Sequence, residues 1–141
     1  NVSSMMGRIS LPYFSLYAST KWAVEGFTEN LRYELKAQNI RVVLIEPGTV
    51  NTNFFGSSLK LTSVNPNAVY KGDFNNVLAN IRSRGEKGAD PQVTARVIFR
   101  AVQSNNQRLR YLADSTAVFL VNLRRYNPLS LYQWIIRMSV R

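Results

Sequence analysis

A chain of 141 residues with a hydrophobic share of 45% is long enough for one modest buried core, which excludes a wholly disordered protein. It contains neither cysteine nor histidine, so a disulfide framework, a thiolate metal site and a histidine general base are all excluded. The net charge of +10 comes largely from single arginines scattered among apolar residues of the second half, with no zinc-finger spacing or RNA-binding aromatic motif, so no nucleic-acid partner is expected.

Proton chemistry in such a chain must use Tyr, Lys, Asp or Glu. The lack of cysteine fits a reducing compartment, and a cytoplasmic location is expected. The first residue is Asn, and "NVSS" opens inside an apolar-polar pattern with no signal-like stretch behind it, because Arg8 and Pro12 interrupt the early apolar residues. The chain is therefore expected to begin within a larger protein.

"NVSS" reads as the tail of a buried strand, and the loop after it carries the turn formers Gly7 and Pro12. A helix is predicted over 15–38. Val24, Phe27, Leu31 and Leu35 recur at helical spacing on one face, with Glu25, Glu29, Arg32 and Lys36 on the opposite, solvent side. Glu29 and Arg32 form a favourable i,i+3 pair. The run "IRVVLIEPG" at 40–48 is β-branched and closed by Pro-Gly, and its continuous apolarity predicts a strand covered on both faces of a parallel sheet. Strand, helix and strand spell a βαβ unit. Its right-handed crossover puts both C-terminal strand ends on one edge, the edge where open α/β sheets bind ligands.

Residues 53–88 read as a long insertion or lid, with Phe54, Phe55, Leu59, Leu61, Val64, Val69 and Tyr70 among polar residues and weak helical patterning over 73–82. Asp90-Pro91 supplies an N-cap and a first-position proline for a helix whose buried face is Val93, Val97, Ile98, Ala101 and Val102. "RLRYLAD" reads as a final edge strand. From Ser115 two apolar-basic segments follow, split by Asn127-Pro128, with no acidic residue after Asp114. Their arginines and proline interrupt any bilayer span. Two uses stay open for them: docking on the protein's own core or a subunit partner, or peripheral contact with an anionic membrane surface.

On the predicted helix Tyr17 and Lys21 stand at i and i+4 and share a face. A nearby ammonium favours phenolate, so the pair is expected to lower the tyrosine's pKa toward the range of a general acid-base. Ser3 and Ser4 end the preceding strand, where a hydroxyl is placed to bond a substrate oxygen. "EPGTVNT" ends the next strand at the same edge, with hydroxyls at Thr49 and Thr52 and close backbone approach allowed at Gly48. Three elements thus converge on one crevice.

Ser-Ser, then Tyr17 thirteen residues after Ser4, then Lys21, then Pro-Gly-x-Val-x-Thr, together resemble the short-chain dehydrogenase/reductase family over residues 1–53, and more loosely beyond. The resemblance implies the C-terminal half of a Rossmann-like, doubly wound parallel sheet in an α/β fold, with residues 1–114 in that domain and 115–141 as a basic amphipathic tail. It implies an oxidoreductase interconverting an alcohol and a carbonyl with NAD or NADP. Tyr17 would be the acid-base, Lys21 would lower its pKa and hold the nicotinamide ribose, and Ser4 would polarise the substrate oxygen. Pro47, Gly48, Val50 and Thr52 would hold the nicotinamide end. A homo-oligomer is implied as well. The stretch "DPQVTARVIFRAVQSNNQRLRY" resembles the end of steroid- and retinol-type members, and with the apolar insertion it points to a hydrophobic alcohol or ketone substrate. The family's Gly-rich phosphate loop is absent from the sequence, so the 141-residue chain by itself is expected to bind dinucleotide poorly and to be inactive. The competing expectation is a non-catalytic binding or scaffold protein that keeps the fold.

Overall fold

The computed structural model describes residues 1–56, 58 and 71–140. Positions 57 and 59–70 of the stretch read from the sequence as an insertion or lid, with Leu59, Leu61, Val64, Val69 and Tyr70, lie outside the described residues. The elements run in the order α1 (Ser15–Glu34), β1 (Leu44–Glu46), α2 (Lys71–Glu86), α3 (Pro91–Gln103), β2 (Arg110–Leu112), α4 (Ser115–Tyr126) and α5 (Leu129–Val140), with short 3-10 turns at Met5–Gly7, Lys36–Gln38 and Asn53–Phe55.

All strand pairing is parallel. Val2 bridges Ile45, and β1 pairs with β2 in the register Leu44 to Arg110, Ile45 to Tyr111 and Glu46 to Leu112. The centre of this ribbon is buried on both sides, since Leu44, Ile45 and Glu46 are all nearly inaccessible. Alternation along β1 puts Ile45 on one face and Glu46 on the other. Ile45 packs with Ala101 of α3 and Ala113, flanked by Val97 and Tyr111. On the opposite face, Arg110 of β2 reaches Glu25 of α1. Helices α1 and α3 therefore cover opposite faces, which is the doubly wound arrangement.

Helix α1 stops earlier than its apolar pattern suggests, because Asn39 turns left-handed (φ 57°) after a 3-10 turn. Its inner face is also rotated. Ala18, Glu25 and Thr28 are buried, whereas Phe27, expected inside, is 64% exposed. The cause is close approach to the Met5–Gly7 turn. A Cβ added to Gly7 would stand 2.7 Å from Glu25 Cγ and 3.1 Å from the Lys21 carbonyl oxygen, so only glycine lets the helix lie so near. Glu25 and Glu29, expected in solvent, both accept from Arg110, at 2.9 and 2.8 Å. The local Glu29–Arg32 pair gives way to this long-range one, and Arg32 turns to the Gln107 carbonyl.

Helix α3 begins where the sequence signal puts it, with Asp90 Oδ1 accepting from the Gln92 amide at 2.8 Å. Its buried stripe is narrower than expected: Ala101 is inaccessible, but Ile98 and Val102 lie on the exposed rim. The tail forms α4 and α5 on either side of Asn127-Pro128. Ala117, Val121, Tyr132 and Ile136 pack with Met5, Met6, Ile9 and Ala18, and the Tyr132 hydroxyl donates to the Ser10 carbonyl at 2.9 Å. Each such large apolar side chain contributes about 1.5–3 kcal/mol by burial. Among the described residues no helix is long and apolar enough to cross a membrane.

Glu46 is the most unusual core residue. Among the described residues neither carboxylate oxygen has a hydrogen bond, and Arg8 at 3.6 Å and Arg110 at 3.4 Å offset their charge. Burial first, and then the Glu25 charge, push its pKa from 4.5 up to about 7, against the pull of Arg8 and Arg110. The folded state thus binds a proton that the unfolded chain releases. The stability from that proton is complete below pH 4.5 and fades as pH rises through about 7. Thermal melts of wild type and Glu46→Gln between pH 5 and 8 should show the wild-type advantage shrinking with pH, while the Gln variant has a flatter profile. Parallel profiles would rule this titration out.

Candidate active site

The C-terminal edge of the parallel ribbon is built by three chain segments held together through their backbones. The Ser3 amide donates to the Ile45 carbonyl at 2.8 Å, and the Met5 amide to the Pro47 carbonyl at 2.8 Å. The chain leaving Val2 therefore runs beside the chain leaving β1. Ser4 caps the 3-10 turn by accepting from the Met6 amide at 3.2 Å, and its hydroxyl approaches the Pro47 carbonyl at 3.5 Å. Helix α1 starts over this junction, which places Tyr17 above Ser4.

The Tyr17 phenol is close enough to the Ser4 hydroxyl for Ser4 to stabilise its ionised form, and both residues line the same cleft. Its ring packs against Phe54 (centroids 5.6 Å apart) and Phe14 (6.2 Å). The Lys21 ammonium lies 5.8 Å from the Tyr17 ring centroid and donates to the Val2 carbonyl at 3.3 Å. The phenol's pKa is raised above its ordinary 10.0, not lowered as the i,i+4 spacing suggests. Burial is the larger cause, and the nearby Ser4 hydroxyl only partly offsets it. Lys21 is turned to the strand end, and among the described residues no hydrogen bond joins it to the phenol.

The loop after β1 is anchored to the far end of the insertion. Ala89 donates to the Thr49 carbonyl at 2.9 Å and accepts from the Asn51 amide at 3.0 Å, so Val50 and Ala89 form a parallel bridge. In that pattern the N–H and C=O of Val50 itself point away from Ala89. Gly88 makes the contact feasible, because a Cβ there would stand 2.8 Å from backbone atoms of Val50 and Asn51. Thr52 caps the next 3-10 turn by accepting from the Phe54 amide at 3.3 Å.

Ser4, Tyr17, Lys21, Pro47, Gly48, Val50 and Thr52 all line one cleft of about 770 Å³. Its remaining wall is mainly apolar, with Leu11, Phe14, Phe54, Phe119, Leu120 and Ile136. Sequence reasoning missed the aromatic sandwich around Tyr17 and the Gly88–Ala89 anchor. Phe14 carries a signal in its spacing, three residues before Tyr17 on the helix border. The Gly88–Ala89 contact is non-local and has no sequence signal. Ser3 lines the same cleft, and among the described residues its buried Oγ has no hydrogen-bond partner.

These residues fit one end of a nicotinamide nucleotide. The cleft brings together the Tyr17 phenol, the Lys21 ammonium and the hydroxyls of Ser4 and Thr52, donor and acceptor groups of the kind that ribose hydroxyls and a carboxamide need.

A family model described as short chain dehydrogenase matches residues 1–61. An oxidoreductase of Bacillus subtilis named YusZ, described as uncharacterized, is 33% identical over 97% of this chain and 50% of its own length. Retinol dehydrogenase 8 of Bos taurus is 34% identical over 90% of the chain and 43% of its own length. Among solved structures, a short-chain dehydrogenase from Streptomyces avermitilis superimposes with a TM-score of 0.68 at 27% identity, over 99% of this chain and 51% of that one. A short-chain dehydrogenase from Burkholderia cenocepacia, crystallised with NADP, shares the fold with a TM-score of 0.66 at 16% identity, over 94% of this chain and 46% of its own. The chain spans about half the length of the curated relatives it matches.

Proposed function

The chain belongs to the short-chain dehydrogenase/reductase family, and from that premise we propose that it carries the catalytic half of an NAD- or NADP-dependent oxidoreductase that interconverts an alcohol and a carbonyl. The observation that carries the proposal is the shared cleft: Ser4 and Tyr17 line it at the sheet edge, together with Lys21, Pro47, Gly48, Val50 and Thr52. A bound nicotinamide supplies or accepts the hydride at the substrate carbon. Tyr17 donates a proton to the carbonyl oxygen in reduction and takes it back in oxidation. Ser4 donates a hydrogen bond to the same oxygen and fixes its position. Lys21 and the outward backbone of Val50 hold the nucleotide, and Thr52 borders its nicotinamide end.

Burial raises the phenol's pKa above its ordinary 10.0, so Tyr17 enters reduction in its protonated form. The apolar wall supports a hydrophobic alcohol or ketone, whose body would lie against Phe14, Phe54, Phe119 and Leu120 while its oxygen faces Tyr17. No Gly-x-x-x-Gly-x-Gly segment occurs among the chain's seven glycines, so the pyrophosphate half of the site is proposed to come from outside these 141 residues.

The test is nicotinamide oxidation with a panel of ketones, using the intact protein and the 141-residue chain side by side. The intact protein is expected to turn over, with lower KM for bulky apolar ketones than for acetone, and the chain alone to stay at background. Turnover by the chain alone would refute the divided site. No turnover by the intact protein with either dinucleotide would refute the activity.

A further inference from the structure

Asp114 follows β2 and precedes α4, and its two carboxylate oxygens serve different parts of the molecule. Oδ1 accepts from the Ala117 amide at 2.9 Å, an ordinary N-cap for α4. Oδ2 accepts from the Gly48 amide at 2.6 Å, in the loop that leaves the neighbouring strand. A helix cap needs only one oxygen. The second bond is charge-assisted and short, the stronger kind of hydrogen bond. Gly48 lies so close that a Cβ would stand 2.5 Å from Oδ1 and 2.8 Å from Oδ2, so any other residue there would displace the Asp114 carboxylate from its bond to the loop.

The bond joins two walls of one cleft. Gly48 belongs to the loop lining one side, and Thr116, Phe119 and Leu120 of α4 line the other. Their spacing decides how a group held by the loop meets a substrate lying on α4. We propose that Asp114 is a positioning residue, a strut that locks the Pro47–Thr52 loop to the N-terminus of α4 and thereby sets that loop's geometry for the nicotinamide end of the cofactor. The cofactor part rests on the function proposed above; the strut itself stands on the two hydrogen bonds.

Asn and Ala at this position separate the cap from the strut. Asp114→Asn keeps an oxygen for the Ala117 amide but turns an NH2 group toward the Gly48 amide. Asp114→Ala removes both bonds. Three quantities are read in the intact protein: melting temperature, hydrogen exchange of the Gly48 amide without cofactor, and kcat and KM for the dinucleotide. Asp114→Asn is expected to melt close to wild type, to exchange Gly48 faster, and to raise the dinucleotide KM about ten- to a hundredfold with a smaller change in kcat. Asp114→Ala is expected to add a lower melting temperature to the same KM change. Unchanged Gly48 exchange and unchanged KM in Asp114→Asn, with only a stability loss in Asp114→Ala, would reduce Asp114 to a helix cap and overturn the proposal. Faster Gly48 exchange in a protein that binds no dinucleotide at all would instead leave the strut standing and sink the activity.

Discussion

Tyr17→Phe in the intact protein is expected to lower kcat by about 10²- to 10⁴-fold, the range that a positioned proton donor contributes, while dinucleotide and substrate binding largely persist. The substitution removes one oxygen and leaves the ring in place between Phe14 and Phe54. Ser4 keeps its cap on the Met6 amide, so the site does not collapse around the change. The pH profile adds a second check. The pKa of Tyr17 is raised, so carbonyl reduction, which needs the protonated phenol, should stay level through neutral pH as far as this group is concerned, and decline only above the ordinary phenol value of 10.0. Steady-state kinetics paired with direct dinucleotide titration decide the matter. A variant with most of its kcat intact would remove Tyr17 from the proton path.

Arg110→Ala should be the most damaging single change to stability, about 3–5 kcal/mol at pH 8. Arg110 contacts Glu25 at 2.9 Å, Glu29 at 2.8 Å and Glu46 at 3.4 Å. Glu29 is substantially exposed, so its share is small. Glu25 and Glu46 are buried, and removing the guanidinium strands two like charges in the interior, with only Arg8 left near Glu46. The penalty should shrink at pH 5, where Glu46 escapes by taking up a proton. Urea denaturation of Arg110→Ala, with and without Glu46→Gln, measures the coupling. If the two changes add independently, the shared-charge account fails.

The contrast between these predictions marks what was legible in the sequence. Local chemistry was readable: Asp90-Pro91 starts α3, and Asn127-Pro128 separates α4 from α5. The βαβ order and the convergence of Ser4, Tyr17 and the Pro-Gly loop were readable too, because parallel strands leave both exits on one edge. The inner face of α1 was not. Its rotation depends on the missing side chain of Gly7 and on Arg110, which lies 85 residues from Glu25. Periodicity counts apolar positions, and it cannot see that a distant guanidinium makes a buried glutamate acceptable. The direction of the Tyr17 shift escaped for the same reason, since the helical spacing shows Lys21 but not the enclosing Phe54 or the ammonium's bond to Val2.

The bridge between Val50 and Ala89 has an evolutionary consequence. It ties the exit of the insertion to its entrance, so the stretch between them is a cassette with fastened ends. Closing a longer loop costs only about 0.6 kcal/mol for each doubling of its length. Insertions, deletions and substitutions in that cassette can therefore be accommodated while Ser4, Tyr17 and the Pro47–Thr52 loop keep their places, and on the function proposed above they would alter the choice of substrate.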